Sequence, residues 1–300
     1  MDMTKNKCCR RGANLRRRRR RRRKILRSII FSYSIIAVAV FVAVGSSMIR
    51  SGDGRTNRYD VEAGNNTYDN AVIENSKISE KNKIQNNQSM LDDIMNSTQY
   101  PKQLKDLALK NEEALEFVYD YPAEHVKEHT IDLTEEVSMD SVPLFVQWDK
   151  RWGYEKYSGN FFAASGCGPT TLSMVVVYLT HDREASPIAV AKYSKEAGYS
   201  VDGSGSSWTL ISEGCRHYGV KAKAVALDES RMKAELDEGH PIVVNVGPGD
   251  FTDTGHFMVI TGYDDEGFSI NDPNSIEKSG KRWLFKNISS QIRAVWSMYV

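Results

Sequence analysis

Cys167, His256 and Asp272 are of the three types that together attack a carbonyl: a thiol that becomes a nucleophile once deprotonated, an imidazole that takes its proton, and a carboxylate that fixes the imidazole tautomer. The surroundings of each decide how far that chemistry can be read. Cys167 stands in Ser165-Gly166-Cys167-Gly168-Pro169-Thr170-Thr171, and Leu172, Val175, Val176 and Leu179 follow at i, i+3, i+4, i+7 spacing. That spacing predicts a helix beginning at the cysteine, with Pro169 suited to its first turn. A thiol there meets the positive end of the helix dipole and free backbone N–H groups, both of which favour thiolate. The flanking glycines keep bulk from the sulfur and let backbone approach a substrate carbonyl.

His256 opens a predicted strand and Asp272 closes the next, so a hairpin would carry both to its open end. Each residue also has an ordinary reading. A lone cysteine is as often a small buried hydrophobe, a strand histidine is commonly half-buried, and an aspartate before Pro273 is a usual turn residue.

The elements that must position these groups make an α+β arrangement. Val142 to Gln147 reads as an extended entry, because Pro143 cannot donate to a sheet ladder. After the Cys167 helix, further helices are expected at Pro187 to Ala197, Ser207 to His217 and Glu229 to Glu238. Strands are expected at Pro241 to Val246, His256 to Tyr263 and Gly267 to Asn271, with a turn at Asp264 to Gly267. Trp208, Ile211 and Cys215 would share a buried helix face, leaving Cys215 as core. His125, His129, His181 and His240 have no metal-ligand spacing with any cysteine. Gly247-Pro248-Gly249-Asp250 lacks the lysine of a phosphate loop and is expected to be a substrate-side loop leading to His256.

Charge divides the rest of the chain. Residues 1–27 hold fourteen Lys or Arg against Asp2 alone, so the net +1 splits into a tail near +13 and a remainder near −12. The protein is therefore not a generally basic nucleic-acid binder. Residues 28–49 carry no charge, enough helix to cross a bilayer core of about 30 Å. The polybasic flank puts the N-terminus in the cytoplasm and the remainder outside, in a single pass. Because the arginine run abuts this span, its partner is expected to be anionic lipid rather than nucleic acid. Residues 50–97, rich in Asn, Ser and Lys, read as a flexible spacer. Residues 98–141 read as a short helical lead-in, with Leu104, Leu107, Ala108, Leu115 and Val118 facing the module at 142–300. Cys8 and Cys9 would be tail thiols, and Cys167 and Cys215 free thiols rather than a disulfide framework.

The Ser-Gly-Cys-Gly-Pro-Thr helix start, the strand from Gly255-His256 to Gly262-Tyr263 and the Asn271-Asp272-Pro273-Asn274 turn resemble the C39-like family of papain-like cysteine peptidases. Val142 to Asp149 and Arg151-Trp152-Gly153 join the resemblance, which runs from Val142 to the C-terminus. It implies a papain-like fold in which Cys167 is the nucleophile, His256 the base and then the acid, and Asp272 the orienting carboxylate. Gln147 would supply a side-chain N–H to the oxyanion hole, although in the better-known bacteriocin-processing members the glutamine stands much nearer the cysteine. No metal or organic cofactor is implied. The substrate would be a peptide or protein outside the cell, met by a monomeric catalytic domain. From their position between Gln147 and Cys167, the aromatics Trp148, Trp152, Tyr154, Tyr157, Phe161 and Phe162 read as cleft lining or equally as core, with about half expected in the core. Two other readings use the same fold: a non-hydrolytic binding module for peptides or cell-wall fragments, and a thioester-forming acyltransferase or transpeptidase.

Overall fold

The computed structural model describes the backbone of residues 63–300 and the side chains of residues 79–300. The chain divides into Met1–Val72 and Ile73–Val300, and the side-chain geometry below belongs to the second unit. The proposed span at residues 28–49 and the polybasic tail lie outside the described residues. Among the described residues no helix is long and apolar enough to cross a membrane.

The first element corrects the reading of residues 50–97 as a flexible spacer over its described part, residues 63–96, residues 50–62 lying outside the described residues. Ala63–Asn96 is a helix, α1, where composition predicted a flexible spacer. Its Asn- and Lys-rich sequence carries almost no apolar stripe until Met90, Leu91 and Ile94, which pack on a small core. Packing of those last turns supplies what intrinsic propensity lacks, a contribution that composition cannot reveal. The lead-in follows as helices α2 (Lys102–Lys110) and α3 (Leu115–Tyr119). Leu104, Leu107, Ala108, Leu115 and Val118 are all buried, in one cluster with Phe161 and Ala163.

Helix α4 (Cys167–Thr180) is buried on nearly every side, helix α5 (Pro187–Glu196) packs beside it, and α6 (Glu229–Asp237) comes later in the chain. The expected helix at Ser207 to His217 breaks instead into a single turn, Thr209–Ser212, and a 3₁₀ stretch, Gly214–Tyr218. Cys215 is buried as expected, but Trp208 is 47% exposed and not part of that core.

Six strands form one sheet: β1 (Lys221–Ala224), β2 (Ile242–Val246), β3 (His256–Asp264), β4 (Gly267–Asn271), β5 (Arg282–Trp283) and β6 (Ile292–Tyr299). All neighbouring pairs are antiparallel, in the order β1-β6-β2-β3-β4-β5. Val243, Phe257, Val259, Trp296 and Met298 join the core with α4 residues such as Leu172 and Val176. Ile242, Val244, Val246, Met258, Ile260 and Ile270 fill a second core with Met232 of α6. With both faces covered, β2 is buried along its whole length rather than on alternate residues, and only Asn245 breaks its apolar run.

Candidate active site

The β3–β4 hairpin is closed by a two-residue turn, Asp265 and Glu266, and pairs Val259 with Asn271 at its other end. His256 therefore begins β3 beside the point where the chain leaves β4 into Asp272. Both side chains are buried, and His256 Nε2 lies 2.7 Å from Asp272 Oδ1. The same Oδ1 accepts the backbone N–H of Asn274 at 2.8 Å, and the Asp272 N–H donates to Ser279 Oγ at 2.9 Å. With Nε2 committed to the carboxylate, Nδ1 is the ring nitrogen left for a second partner.

The group that can take it is Cys167, which is partly exposed and close enough to His256 for each to shift the titration of the other. It is the first residue of α4, and Thr171 in the next turn of α4 donates its hydroxyl to the Phe257 carbonyl at 3.0 Å, tying the helix start to β3. Burial pushes the Cys167 thiol up, but the His256 hydrogen bond, its positive charge and the N–H groups of Phe257 and Gly168 outweigh it and hold the thiol below its ordinary value. For His256 burial acts downward, and the Asp272 charge and hydrogen bond, followed by those of Cys167, raise the imidazole to about 10. The arrangement favours a thiolate–imidazolium pair. Cys215 shows the contrast: burial pushes its thiol up to about 11, with no imidazole to oppose it.

The glycines beside Cys167 have a packing reason in addition to openness. A Cβ on Gly166 would lie 2.6 Å from the Phe162 ring, and one on Gly168 would lie 2.5 Å from Ser206 Oγ. Ser206 cannot retreat freely, since its hydroxyl is paired with Tyr157 OH at 2.7 Å. Gly168→Ala is accordingly expected to cost about 1–3 kcal/mol in denaturant unfolding and to slow alkylation of Cys167 by displacing the start of α4. Unchanged values for both would show that the contact relaxes without moving the thiol.

Two adjoining pockets make one groove, for both are lined by Asn160, Ala164 and Thr254. The part holding Cys167, 710 Å³, is lined also by Gly203 to Ser206, Trp208 and Gly247-Pro248. The other part, 480 Å³, holds Gln147, Asn111, Asn274 and the Gly249–Thr254 loop. The Gly247–Asp250 loop thus stands on the groove, where the sequence put it. The aromatic run does not: Trp152, Tyr157, Phe161 and Phe162 are buried, and Trp148 and Tyr154 pack on the lead-in cluster. Trp208 is the large aromatic on the groove that the sequence reading assigned to the core, an error that followed from expecting one continuous helix.

Gln147 is buried and donates from Nε2 to the Ala163 carbonyl at 2.7 Å, while its backbone N–H donates to the Pro273 carbonyl at 2.7 Å. Its Oε1 and Asp272 Oδ2 are, among the described residues, the buried side-chain polar atoms without a hydrogen-bond partner. Gln147 is thus fixed between the turn after Asp272 and the segment before Cys167.

Residues 139–300, more than half of the chain, match the family model described as the Peptidase_C39 like family. The chain belongs to that family. Among solved structures it is similar to the peptidase domain of Streptococcus ComA, a bi-functional ABC transporter involved in a quorum-sensing pathway. The identity is 18%, the TM-score 0.39, and the match covers 53% of this chain and 96% of that one. A putative C39-like peptidase from Bacillus anthracis is 18% identical, with a TM-score of 0.33 and coverage of 53% and 95%. No curated protein gives a significant match. The C39-like match begins at residue 139, so α1, α2 and α3 lie outside it.

Proposed function

We propose that this C39-like chain is a cysteine peptidase of papain-like fold that hydrolyses peptide bonds through a thioester on Cys167. One observation carries the reading: His256 gives Nε2 to Asp272 and is left with Nδ1 for a thiol at a helix start. In that geometry the Cys167 thiolate attacks the peptide carbonyl carbon and a C–S bond forms. The His256 imidazolium protonates the departing amine as the C–N bond breaks. Water, giving one proton to His256, then attacks the thioester; the C–S bond breaks, the thiolate–imidazolium pair returns, and the carboxylic acid released gives its remaining proton to solvent. The Cys167 backbone N–H and the Gln147 amide are the proposed donors to the oxyanion. Gln147 is buried and anchored on both sides of the groove, which suits a group that must not reorganise during the reaction.

The peptidase is further proposed to stand outside the cell, anchored by residues 28–49, with the basic tail on anionic lipid. Digestion of a peptide library by the full chain in ¹⁸O-water is expected to give fragments carrying one heavy oxygen at each new carboxyl. Products formed only with an added amine would replace hydrolysis by acyl transfer. A topology reporter fused after Val300 is expected to read outside, and a cytoplasmic signal would overturn the anchor.

A further inference from the structure

Asp272 is held by more than its hairpin. The turn after it, Pro273 to Glu277, is gripped by residues 111–113, between α2 and α3 and outside the C39-like match. Asn111 Nδ2 donates to the Asn274 carbonyl at 2.9 Å and to Asn274 Oδ1 at 3.1 Å. Glu113 accepts the Ser275 hydroxyl on Oε1, and on Oε2 the backbone N–H groups of Ile276 at 2.7 Å and Glu277 at 3.1 Å. Asn111 Oδ1 accepts the Glu113 N–H at 3.0 Å, making one rigid two-pronged grip. Opposite it, Asn274 N–H donates to the same Asp272 Oδ1 that holds His256, and Ser279, in the helical turn Ile276–Ser279, receives the Asp272 N–H.

We propose that Asn111 and Glu113 are positioning residues for Asp272, so that the lead-in is a working part of the active site rather than a spacer. The proposal rests on the peptidase reading. Its physical basis is that a buried carboxylate orients an imidazole only if its own backbone is fixed, and among the described residues the hydrogen bonds that reach residues 274–277 from parts of the chain distant in sequence come from Asn111, Glu113 and Trp148. Glu113 further satisfies N–H groups at the start of the Ile276–Ser279 turn, which would otherwise be free to swing. Loss of either grip lets the Asn274 N–H drift from Oδ1, and Asp272 then holds His256 in a broader range of orientations.

The test is the pH profile of Cys167 alkylation by iodoacetamide in the full chain, with Cys215 followed by peptide mass in the same sample. Glu113→Ala and Asn111→Ala are each expected to slow Cys167 labelling at pH 6 about tenfold and to move its acid limb upward, with Cys215 unchanged. Glu113→Gln keeps one acceptor oxygen and is expected to recover part of the loss. Glu112→Ala removes a neighbouring contact of the lead-in, the bond from Asn87 Nδ2 at 2.7 Å, and serves as the control expected to change nothing. An unshifted profile in Glu113→Ala and Asn111→Ala, where His256→Ala does shift it, would overturn the proposal and leave the lead-in purely structural. An unshifted profile in His256→Ala would instead remove the peptidase reading on which it stands. If Glu113→Ala does not fold, Glu113→Gln and Asn111→Ala decide the matter by the same profile.

Discussion

Replacing Cys167 by alanine is expected to abolish peptide cleavage, by a factor of about 10⁴ or more, with the unfolding midpoint close to that of the parent. The size follows from the chemistry, since without sulfur no thioester can form and only binding and the oxyanion donors remain. The small stability change follows from position: Cys167 is partly exposed on a groove, and its removal leaves no closed cavity. Cys215→Ala should behave in the opposite way. Its side chain is fully buried in the core that α4 shares with the sheet, so its loss should cost about 1–2 kcal/mol with cleavage retained. Steady-state cleavage and denaturant unfolding on both variants check the pair of outcomes. Equal loss of activity from the two would break the assignment of roles.

His256→Ala is expected to slow alkylation of Cys167 at pH 6 by about a hundredfold. The sign follows from the opposing influences on the thiol. In the parent, burial is opposed by the imidazole and by two backbone N–H groups, and the sum lies below the ordinary value. Removing the imidazole leaves burial, the largest influence, opposed by the N–H groups alone, so the thiol rises and thiolate at pH 6 becomes scarce. The parent profile should have two limbs. Reactivity falls with acid as pH drops through the lowered Cys167 value, and the ion pair gives way to thiolate with neutral imidazole as pH rises through about 10. Between them the rate should be nearly flat. A His256→Ala profile that overlays the parent would show that the imidazole does not activate this thiol.

The site was legible where residues that act together also carry strong local signals. Gly-Cys-Gly-Pro-Thr before an apolar 3.6-residue period locates a helix start, and β4 was placed at Gly267–Asn271 because a short apolar run is bounded by turn residues on both sides. Strand β6 carries no clear local signal. Its alternation is broken by a register shift between Ile292 and Ala294, and Arg293 and Ser297 interrupt the apolar run. Strand β1, Lys-Ala-Lys-Ala, reads as solvated coil because an edge strand is often kept charged. Residues 111–113 likewise carry no local signal of a role. Asn and Glu are common at helix ends, and only the folded chain shows that this Asn and this Glu reach a turn more than 160 positions away. That signal is tertiary and leaves no trace in local pattern.

His256 and Asp272 lie 16 positions apart on one hairpin, whereas the contact that joins α4 to that hairpin, Thr171 to Phe257, spans 86. Closing the longer loop costs about 1.5 kcal/mol more in chain entropy, and local pairings form before distant ones as a rule. His256 and Asp272 are thus expected to come together as a local unit, and Cys167 to join them only when the helix docks. Until then Cys167 is an ordinary thiol. On the proposed peptidase reading, the reactive thiol is therefore expected to appear late, as a property of completed folding.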